Sequence, residues 1–330
     1  MRARCRLQSE IDAWLTSLDT GFILVNPEAG GERRRPPNQE SPTAPSRARL
    51  SSAHRRARRR APLRPQILVF TYHKTGTVLF DHVMRAVAAR FGLTVALHYG
   101  LVERVDPAAD IALLAHSLVG PDFAARPFRA IRVVRDPRDI WVSGYLYHRH
   151  CQEEWCTNTD FDPAPPITYP RVDYSVEHYL EGWKRGYLER LGGKSYQRNL
   201  LERDREAGLA FELTGYTGCT LDAMRGWRQA TPSVLQVQLE AVMSDFDGAL
   251  AAIFDHLSFS KYECAQAVEL ARPHDIARMR DEAVARNGHI HSRTISKWRD
   301  YLSAAQIEEF ERRYGELIVD LGYRLADRGA

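Results

Sequence analysis

From residue 66 onward the chain alternates short apolar runs with longer segments of helical periodicity. The apolar runs are continuous and rich in Val, Ile and Leu, a pattern typical of parallel strands buried on both faces. They cover residues 67–72, 94–98, 111–115, 128–134 and 233–239. Because helical segments separate several of these strands, the pattern predicts an α/β fold with a central parallel sheet flanked by helices.

Capping residues mark the predicted helices. Asp136 followed by Pro137 is a typical helix start, and Ser303 with Gln306 forms a capping box before an apolar stripe that Gly322 ends. Helices are predicted over residues 77–90, from residue 137, up to about residue 230, and over 247–257, 261–271 and 304–321. We therefore expect one α/β domain over residues 66–330.

Residues 1–65 differ in composition from the rest of the chain. They are rich in Pro, Arg and Ser, and such a segment lacks the apolar surface that ordering requires, so we expect a basic, disordered N-terminal extension. Up to Gln66 there are 14 arginines against 6 acidic residues, whereas the remainder carries 32 basic and 36 acidic residues. A nucleic-acid-binding function would therefore depend on the extension alone, and we expect no nucleic-acid partner.

Cysteine content and hydropathy indicate the compartment. Five cysteines form no dense disulfide framework, which favours a reducing cytoplasm. No apolar stretch reaches the length of a bilayer-spanning helix, and Glu10, Asp12 and Asp19 interrupt any signal-peptide pattern near the start. We expect a cytoplasmic protein with no membrane span.

Residues 73–77, His-Lys-Thr-Gly-Thr, connect the first strand to the first helix. The segment combines a lysine, a glycine, two hydroxyls and the N–H groups of a helix start, all of which suit an anion. Lys74 comes two residues before Gly76, unlike the common nucleotide-binding loop, and the long glycine loop that wraps a triphosphate is missing. The loop predicts an anion with fewer phosphates, although a simple strand-to-helix turn would also explain it.

A second candidate motif runs from Arg135 to Ser143. Asp136 as helix cap places Ser143 seven residues later on nearly the same face, so Arg135 and Ser143 can lie at one site. A guanidinium and a hydroxyl together suit a phosphate monoester. The alternative is a helix start stabilised by ion pairs, which would use Asp136 and Asp139 only.

The two motifs together resemble those of the sulfotransferase family that uses 3′-phosphoadenosine-5′-phosphosulfate (PAPS). The resemblance implies a P-loop-like sulfotransferase architecture in which Arg135 and Ser143 hold the 3′-phosphate. His73 replaces the family's usual proline, and Val78 replaces its second threonine. Binding of the 5′-phosphate of PAPS would therefore depend more on backbone N–H groups. The residues that the resemblance assigns to the 5′ end are Lys74, Thr75, Gly76, Thr77 and Val78.

The resemblance also suggests a base and a C-terminal cation. His116 follows a strand between the two motifs, where many family members have a histidine that deprotonates the acceptor. A carboxylate remains the alternative, either Glu103 or a residue of the middle segment, 151–228. Near the C-terminus, Arg286 and Arg293 resemble the region that contacts the 3′-phosphate, and one of them is expected to do so.

The implied activity is in-line transfer of a sulfuryl group from PAPS to a hydroxyl or amine, leaving adenosine 3′,5′-bisphosphate (PAP). The acceptor would be a small molecule or a carbohydrate, with Lys74 and His116 as catalytic residues and no metal. A nucleotide-dependent small-molecule kinase and a non-catalytic nucleic-acid adaptor remain alternatives. The residues that could suggest zinc lack the spacing of a common site; they are His148, His150, Cys151 and Cys156.

Overall fold

A computed structural model describes residues 64–157, 191–229, 231–286 and 293–326. Contacts divide the chain into two units, Met1–Arg64 and Pro65–Ala330, and the architecture below belongs to the second. The expectation of a disordered extension falls on residues outside the described ranges. The cytoplasmic location expected from the sequence stays a prediction.

The second unit contains a five-stranded parallel sheet, which confirms the predicted fold class. Its strands lie in the order β2-β3-β1-β4-β5. The bounds are β1 Gln66–Thr71, β2 Val95–Val102, β3 Ile111–Val119, β4 Phe128–Val134 and β5 Val234–Gln238. Since β1 is central, its residues are buried on both faces, which explains its continuous apolar sequence.

Helices separate some of the strands along the chain and follow the last of them. They are α1 Thr77–Phe91, α2 Pro137–His148, α3 Glu154–Thr157, α4 Tyr196–Leu201, α5 Arg205–Thr214, α6 Tyr216–Arg225, α7 Leu239–Ser244, α8 Phe246–His256, α9 Lys261–Ala271, α10 Asp281–Arg286, α11 Trp298–Tyr301 and α12 Ala304–Asp320. The helix before β5 was predicted to reach residue 230 and instead ends at Arg225, capped by Gly226. Among the described helices, none is both long and apolar enough to cross a bilayer.

Alternate residues of β1 pack into different hydrophobic clusters, one on each face of the sheet. Ile67 and Val69 pack with α1 and α8, whereas Leu68 and Phe70 face a smaller cluster that contains Phe123. A third cluster lies around α2 and α12. The sheet is therefore covered on both faces, as the sequence pattern predicted.

The topology places the two candidate motifs at one edge. Strands β1, β3 and β4 are adjacent and parallel, with Ile67 paired to Ile111 on one side and to Arg129 on the other. Carboxyl ends of neighbouring parallel strands meet at the same edge, which is where α/β folds bind ligands. The loops that follow β1 and β4 carry Lys74 and Arg135, and His116 lies within β3.

Strands β2 and β3 both extend beyond the predicted ends because of a bulge. Tyr99 pairs with Ala115 and Gly100 with Ser117, so His116 is the extra residue. His116 has φ 51°, a left-handed conformation uncommon for a residue with a side chain. Bulges of this kind redirect a side chain and often occur beside functional sites.

Candidate anion site

The loop after β1 has an unusual backbone. Lys74 has φ 61° and Gly76 has φ 99°, a region that favours glycine. Thr75 closes the turn, because its hydroxyl accepts from the Tyr72 N–H at 2.8 Å and donates to the Tyr72 carbonyl at 3.0 Å. The Thr75 N–H also donates to that carbonyl at 3.2 Å. Thr75 was expected to face an anion, and in this structure its polar groups instead shape the loop.

Helix α1 starts at this loop without a side-chain cap. Gly76 is the N-cap residue, and no described side chain accepts from the first-turn N–H groups, which include those of Thr77 and Val78. The Thr77 hydroxyl is directed elsewhere, donating to Thr71 Oγ1 at 2.9 Å. Uncapped first-turn N–H groups and the helix dipole both favour an anion at this end.

The Lys74 side chain packs against the aromatic ring of Tyr147. Its Nζ lies 3.7 Å from the centroid of the Tyr147 ring, a cation–π contact. Burial lowers the pKa of Lys74 to about 7, and repulsion by the Arg135 guanidinium lowers it further, although the Glu153 carboxylate opposes the change. Near neutral pH this lysine is therefore only partly charged.

Arg135 lies directly beside the Lys74 loop. Its Nη1 donates to the Lys74 carbonyl at 3.1 Å, and its Nη2 lies 3.6 Å from the Asp139 carboxylate. The Arg135 side chain is 9% exposed and that of Asp139 is fully buried. The structure thus brings the two predicted cations together across neighbouring strands.

Lys297 is a third cation at this site, and no sequence motif predicted it. The Asp139 carboxylate accepts from the backbone N–H groups of Ser296 at 2.8 Å and Trp298 at 3.0 Å, which fixes the segment between them. Lys297 is 6% exposed. Burial lowers its pKa to about 8, and Arg135 adds to that effect while Asp139 opposes it. The sequence feature that could have drawn attention to Lys297 is that lysine is rare in this chain, with only five in total.

Of the two C-terminal arginines expected near the 3′-phosphate, the structure describes the side chain of Arg293. Arg293 donates to the carbonyl of Ile276 at 2.9 Å and pairs with Asp281, so its guanidinium is turned toward the 276–281 segment. Local acceptors therefore hold the Arg293 guanidinium in this structure, and the expectation that one of Arg286 and Arg293 contacts the 3′-phosphate stays a prediction. Arg286 ends α10, and its side chain lies outside the described residues.

Ser143 lies on α2, one turn after Asp139, and is 4% exposed. Its hydroxyl has no hydrogen-bond partner among the described residues. A buried hydroxyl without a partner costs about 1–3 kcal/mol, and helical serines usually avoid this cost by bonding a carbonyl in the preceding turn. An unsatisfied hydroxyl one helical turn after the carboxylate that pairs with Arg135 suits an oxygen-rich anion.

His116 contacts both the loop and a row of aromatic rings. Its Nε2 lies 3.3 Å from the Thr77 hydroxyl, and its ring centroid lies 5.4 Å from that of His73. His73 stacks on His148 at 4.8 Å. Burial lowers the pKa of His116 to about 4, Glu153 opposes this change, and Lys74 adds to it. The imidazole is therefore neutral near pH 7.

Glu153 is a second carboxylate of this site, besides Asp139. It accepts from the Tyr147 hydroxyl at 2.6 Å and lies close enough to Lys74 and His116 to raise the pKa of both. Glu103 instead lies exposed on the loop after β2. Among the described carboxylates of those that the sequence left open, Glu153 therefore lies nearest to this role.

The residues that suggested zinc have other partners. His148 Nδ1 lies 2.9 Å from Glu212 Oε2 in a fully buried pair, and the Cys156 thiol donates to the His148 carbonyl at 3.5 Å. Within the described ranges, no group of three or more His, Cys, Asp or Glu side chains is arranged to hold a metal.

No family model matches this sequence, and no curated protein matches it. Among solved structures, the chain is similar to mouse sulfotransferase SULT7A1 complexed with PAP, at 17% identity and a TM-score of 0.42. The match covers 77% of this chain and 84% of that chain. A similarity this distant assigns neither residues nor activity.

Proposed function

We propose that this protein is a sulfotransferase that moves a sulfuryl group from PAPS to a hydroxyl or amine of a small molecule or carbohydrate. One observation carries the proposal: Lys74, Arg135 and Lys297 lie in one another's electrostatic field at the uncapped start of α1. The sequence motifs that resemble the sulfotransferase family supply two of these three cations.

The charge balance of the site favours an anion. Burial and mutual repulsion lower the pKa of both Lys74 and Lys297, and Asp139 is the carboxylate that directly offsets Arg135. A bound anion would offset the repulsion and raise both pKa values toward the ordinary range for lysine. Such a site therefore binds an anion more strongly than exposed lysines would.

The cations are suited to an anion with two charged ends. Lys74 lies in the loop that leads into the uncapped start of α1, whereas Arg135 and Lys297 both lie close to Asp139. We assign the 5′ end of the nucleotide to the first group and the 3′-phosphate to the second. Gly76 allows the turn itself, since its φ of 99° disfavours any side chain and a Cβ there would lie 3.0 Å from Leu239 Cδ1.

PAPS would supply an activated sulfuryl group, and the chain would supply charge and a base. Lys74 stabilises negative charge that develops beside it, in a partly buried setting where such interactions are strong. His116 is neutral near pH 7, so its imidazole can accept a proton from an acceptor hydroxyl. Tyr147 holds the Lys74 ammonium over its ring and thereby sets its position.

Transfer of labelled sulfate from PAPS to a fractionated cell extract tests the activity. A second assay separates the kinase alternative, since PAP alone should raise the melting temperature of a sulfotransferase more than ATP with magnesium does. The opposite ranking would favour a kinase. Deletion of residues 1–60 tests the nucleic-acid adaptor, because we expect the deleted enzyme to keep its activity.

Replacing Ser143 with alanine should separate binding from stability. We expect the free energy of unfolding to stay the same or rise slightly, because the hydroxyl removed has no partner among the described residues. PAP affinity should fall by about 10-fold through loss of a hydrogen bond to phosphate. Calorimetry and urea unfolding measure the two effects.

Thr220→Val is the matched control for Ser143. The Thr220 hydroxyl is buried and donates to the Tyr216 carbonyl at 3.0 Å. Its loss should lower stability by about 1 kcal/mol and leave PAP affinity unchanged. A Ser143→Ala protein with unchanged affinity would remove Ser143 from the site.

The identity of the base can be tested with His116→Asn and Glu153→Gln. We expect His116→Asn to lower turnover by about 10²- to 10⁴-fold with little change in PAP affinity, and Glu153→Gln to cost less than about 10-fold. Since the pKa of His116 is lowered to about 4, it loses its basic form only as the pH falls through that value. A larger loss for Glu153→Gln would transfer the role of base to Glu153.

A further inference from the structure

Glu212 is a fully buried carboxylate that the proposed transfer reaction does not use. It lies near the end of α5, and none of its side chain is exposed. One oxygen accepts from the Thr217 hydroxyl at 2.8 Å, and the other accepts from the Tyr196 hydroxyl at 2.9 Å and lies 2.9 Å from His148 Nδ1. Gly144 makes room for the carboxylate, since a Cβ there would lie 2.7 Å from Glu212 Oε1.

Stability alone does not account for this carboxylate. Burial of a charged group costs free energy that its hydrogen bonds at best recover, and apolar side chains of similar size commonly do as well. The Thr217 and Tyr196 hydroxyls hold the Glu212 carboxylate in place. The carboxylate in turn fixes the ring of His148, whose side chain is also fully buried. The network therefore ends in a positioned imidazole.

The His148 ring stacks on that of His73, with centroids 4.8 Å apart and ring planes at 10°. His73 is 5% exposed and directly precedes Lys74, whose φ is 61°. The sulfotransferase motif that this loop resembles has proline at position 73, so the stacked rings are particular to this chain. His148 therefore orients a ring that adjoins the proposed catalytic loop.

The His73 ring contacts the rings on which both proposed catalytic residues depend. Its centroid lies 5.4 Å from that of His116 in an edge-to-face arrangement. It also lies 5.8 Å from the centroid of Tyr147, the ring that carries the Lys74 ammonium. Burial is the main reason that the pKa of His116 is lowered, and the field of the His148 imidazole contributes to it. A change in the tilt of the His73 ring would therefore reach both the base and the lysine.

We propose that Glu212 is a positioning residue for the transfer reaction, fixing the ring of His116 through the stacked rings between them. The inference rests on the proposed function, in which His116 is the base. His116 holds a left-handed conformation at a bulge, and such a conformation persists only where neighbouring contacts enforce it. Loss of Glu212 should therefore lower turnover and leave nucleotide binding unchanged.

Glu212→Gln in the full-length protein removes the charge and keeps the size of the side chain. We expect kcat to fall by about 10- to 100-fold, the cost of a misplaced catalytic group, with the KM for PAPS and the affinity for PAP unchanged. Trp141→Phe is the matched control, because the Trp141 indole N–H donates to the Leu209 carbonyl at 2.8 Å and likewise joins α2 to α5. It should keep the native kcat. A native kcat in Glu212→Gln, or an equal loss in both variants, would overturn the proposal.

A double-mutant cycle with His116→Asn shows whether Glu212 acts through the base. In the His116→Asn protein, Glu212→Gln should cause no further loss of turnover, because the group that it positions is absent. A loss of the same size in both backgrounds would contradict the positioning role. If Glu212→Gln fails to fold, His73→Leu repeats the test by removing the ring between the two, and a native kcat in His73→Leu would then refute the proposal.

The NMR signal of the His116 ring separates this inference from the proposed function. In histidine-labelled protein, the His116 Cε1–H resonance is assigned by its absence in His116→Asn. We expect it to shift in Glu212→Gln, because the neighbouring rings reorient, and to keep its native position in Trp141→Phe. An unchanged resonance in Glu212→Gln would sink the positioning role. If the resonance shifts while the native protein neither binds PAP nor transfers sulfate, the proposed function has failed and the positioning of His116 by Glu212 stands.

Discussion

Replacement of Lys74 by alanine is expected to abolish most sulfuryl transfer and leave the fold intact. Lys74 precedes the N-cap residue of α1 by two positions, at the loop where charge would develop during transfer. Loss of one well-placed charge-stabilising group typically costs about 10²- to 10³-fold in turnover. The fold should tolerate the change, because the turn is closed by Thr75 and not by the Lys74 side chain.

Lys261→Ala provides the control, since Lys261 is an exposed lysine at the start of α9. The turnover of Lys261→Ala should match that of the native protein. The melting temperatures of Lys261→Ala and Lys74→Ala should both stay close to the native value. Native-like turnover in Lys74→Ala would remove the central catalytic assignment. A collapse in melting temperature would instead show that Lys74 is structural.

Replacement of Arg135 by alanine is expected to weaken PAP binding by about 10- to 100-fold, the range for losing a charge-assisted hydrogen bond. The effect should be partly offset, because Arg135 lowers the pKa of both Lys74 and Lys297 by repulsion. Without Arg135, both lysines should be more fully charged near neutral pH. Calorimetry gives the affinity for PAP, and the pH dependence of binding shows how far the increased charge of the two lysines compensates for the lost arginine.

Arg293→Ala is a stringent control for Arg135. Sequence resemblance pointed to both arginines, but Arg293 is held by Ile276 and Asp281. We expect Arg293→Ala to bind PAP with native affinity. A loss of affinity in Arg293→Ala with none in Arg135→Ala would show that the C-terminal segment closes differently when the nucleotide binds.

Much of the fold could be predicted from the sequence because buried parallel strands have continuous apolar runs. The five strands were found, whereas the extension of β2 and β3 was missed where Gly100 and the bulged His116 interrupt the pattern. The strand order could not be read from the sequence, since it depends on which strands pair in space. The early end of α6 reflects the cap at Gly226, which periodicity does not reveal.

The site could be predicted only where a motif is local. Lys74, Arg135 and Ser143 lie in short motifs at strand and helix ends. The structure places Arg135 beside the Lys74 loop, and Ser143 lies one turn after Asp139 on α2. Lys297 could not be assigned, because the backbone bonds that hold it come from Asp139, which is remote in the chain. Thr75 was assigned by its hydroxyl, and only the structure shows that this hydroxyl bonds Tyr72.

Calorimetric titration of the full-length protein with PAP, in buffers of different ionisation enthalpy, tests the anion site most directly. Free Lys74 and Lys297 have pKa values lowered to about 7 and about 8, so both lose charge as the pH rises through that window. An anion favours the charged forms, so binding should take up protons, and affinity should fall by up to about 10-fold per pH unit for each proton taken up. Binding with proton uptake near pH 8 is the predicted result. No binding, or binding with no proton exchange, would contradict a nucleotide site built on these lysines.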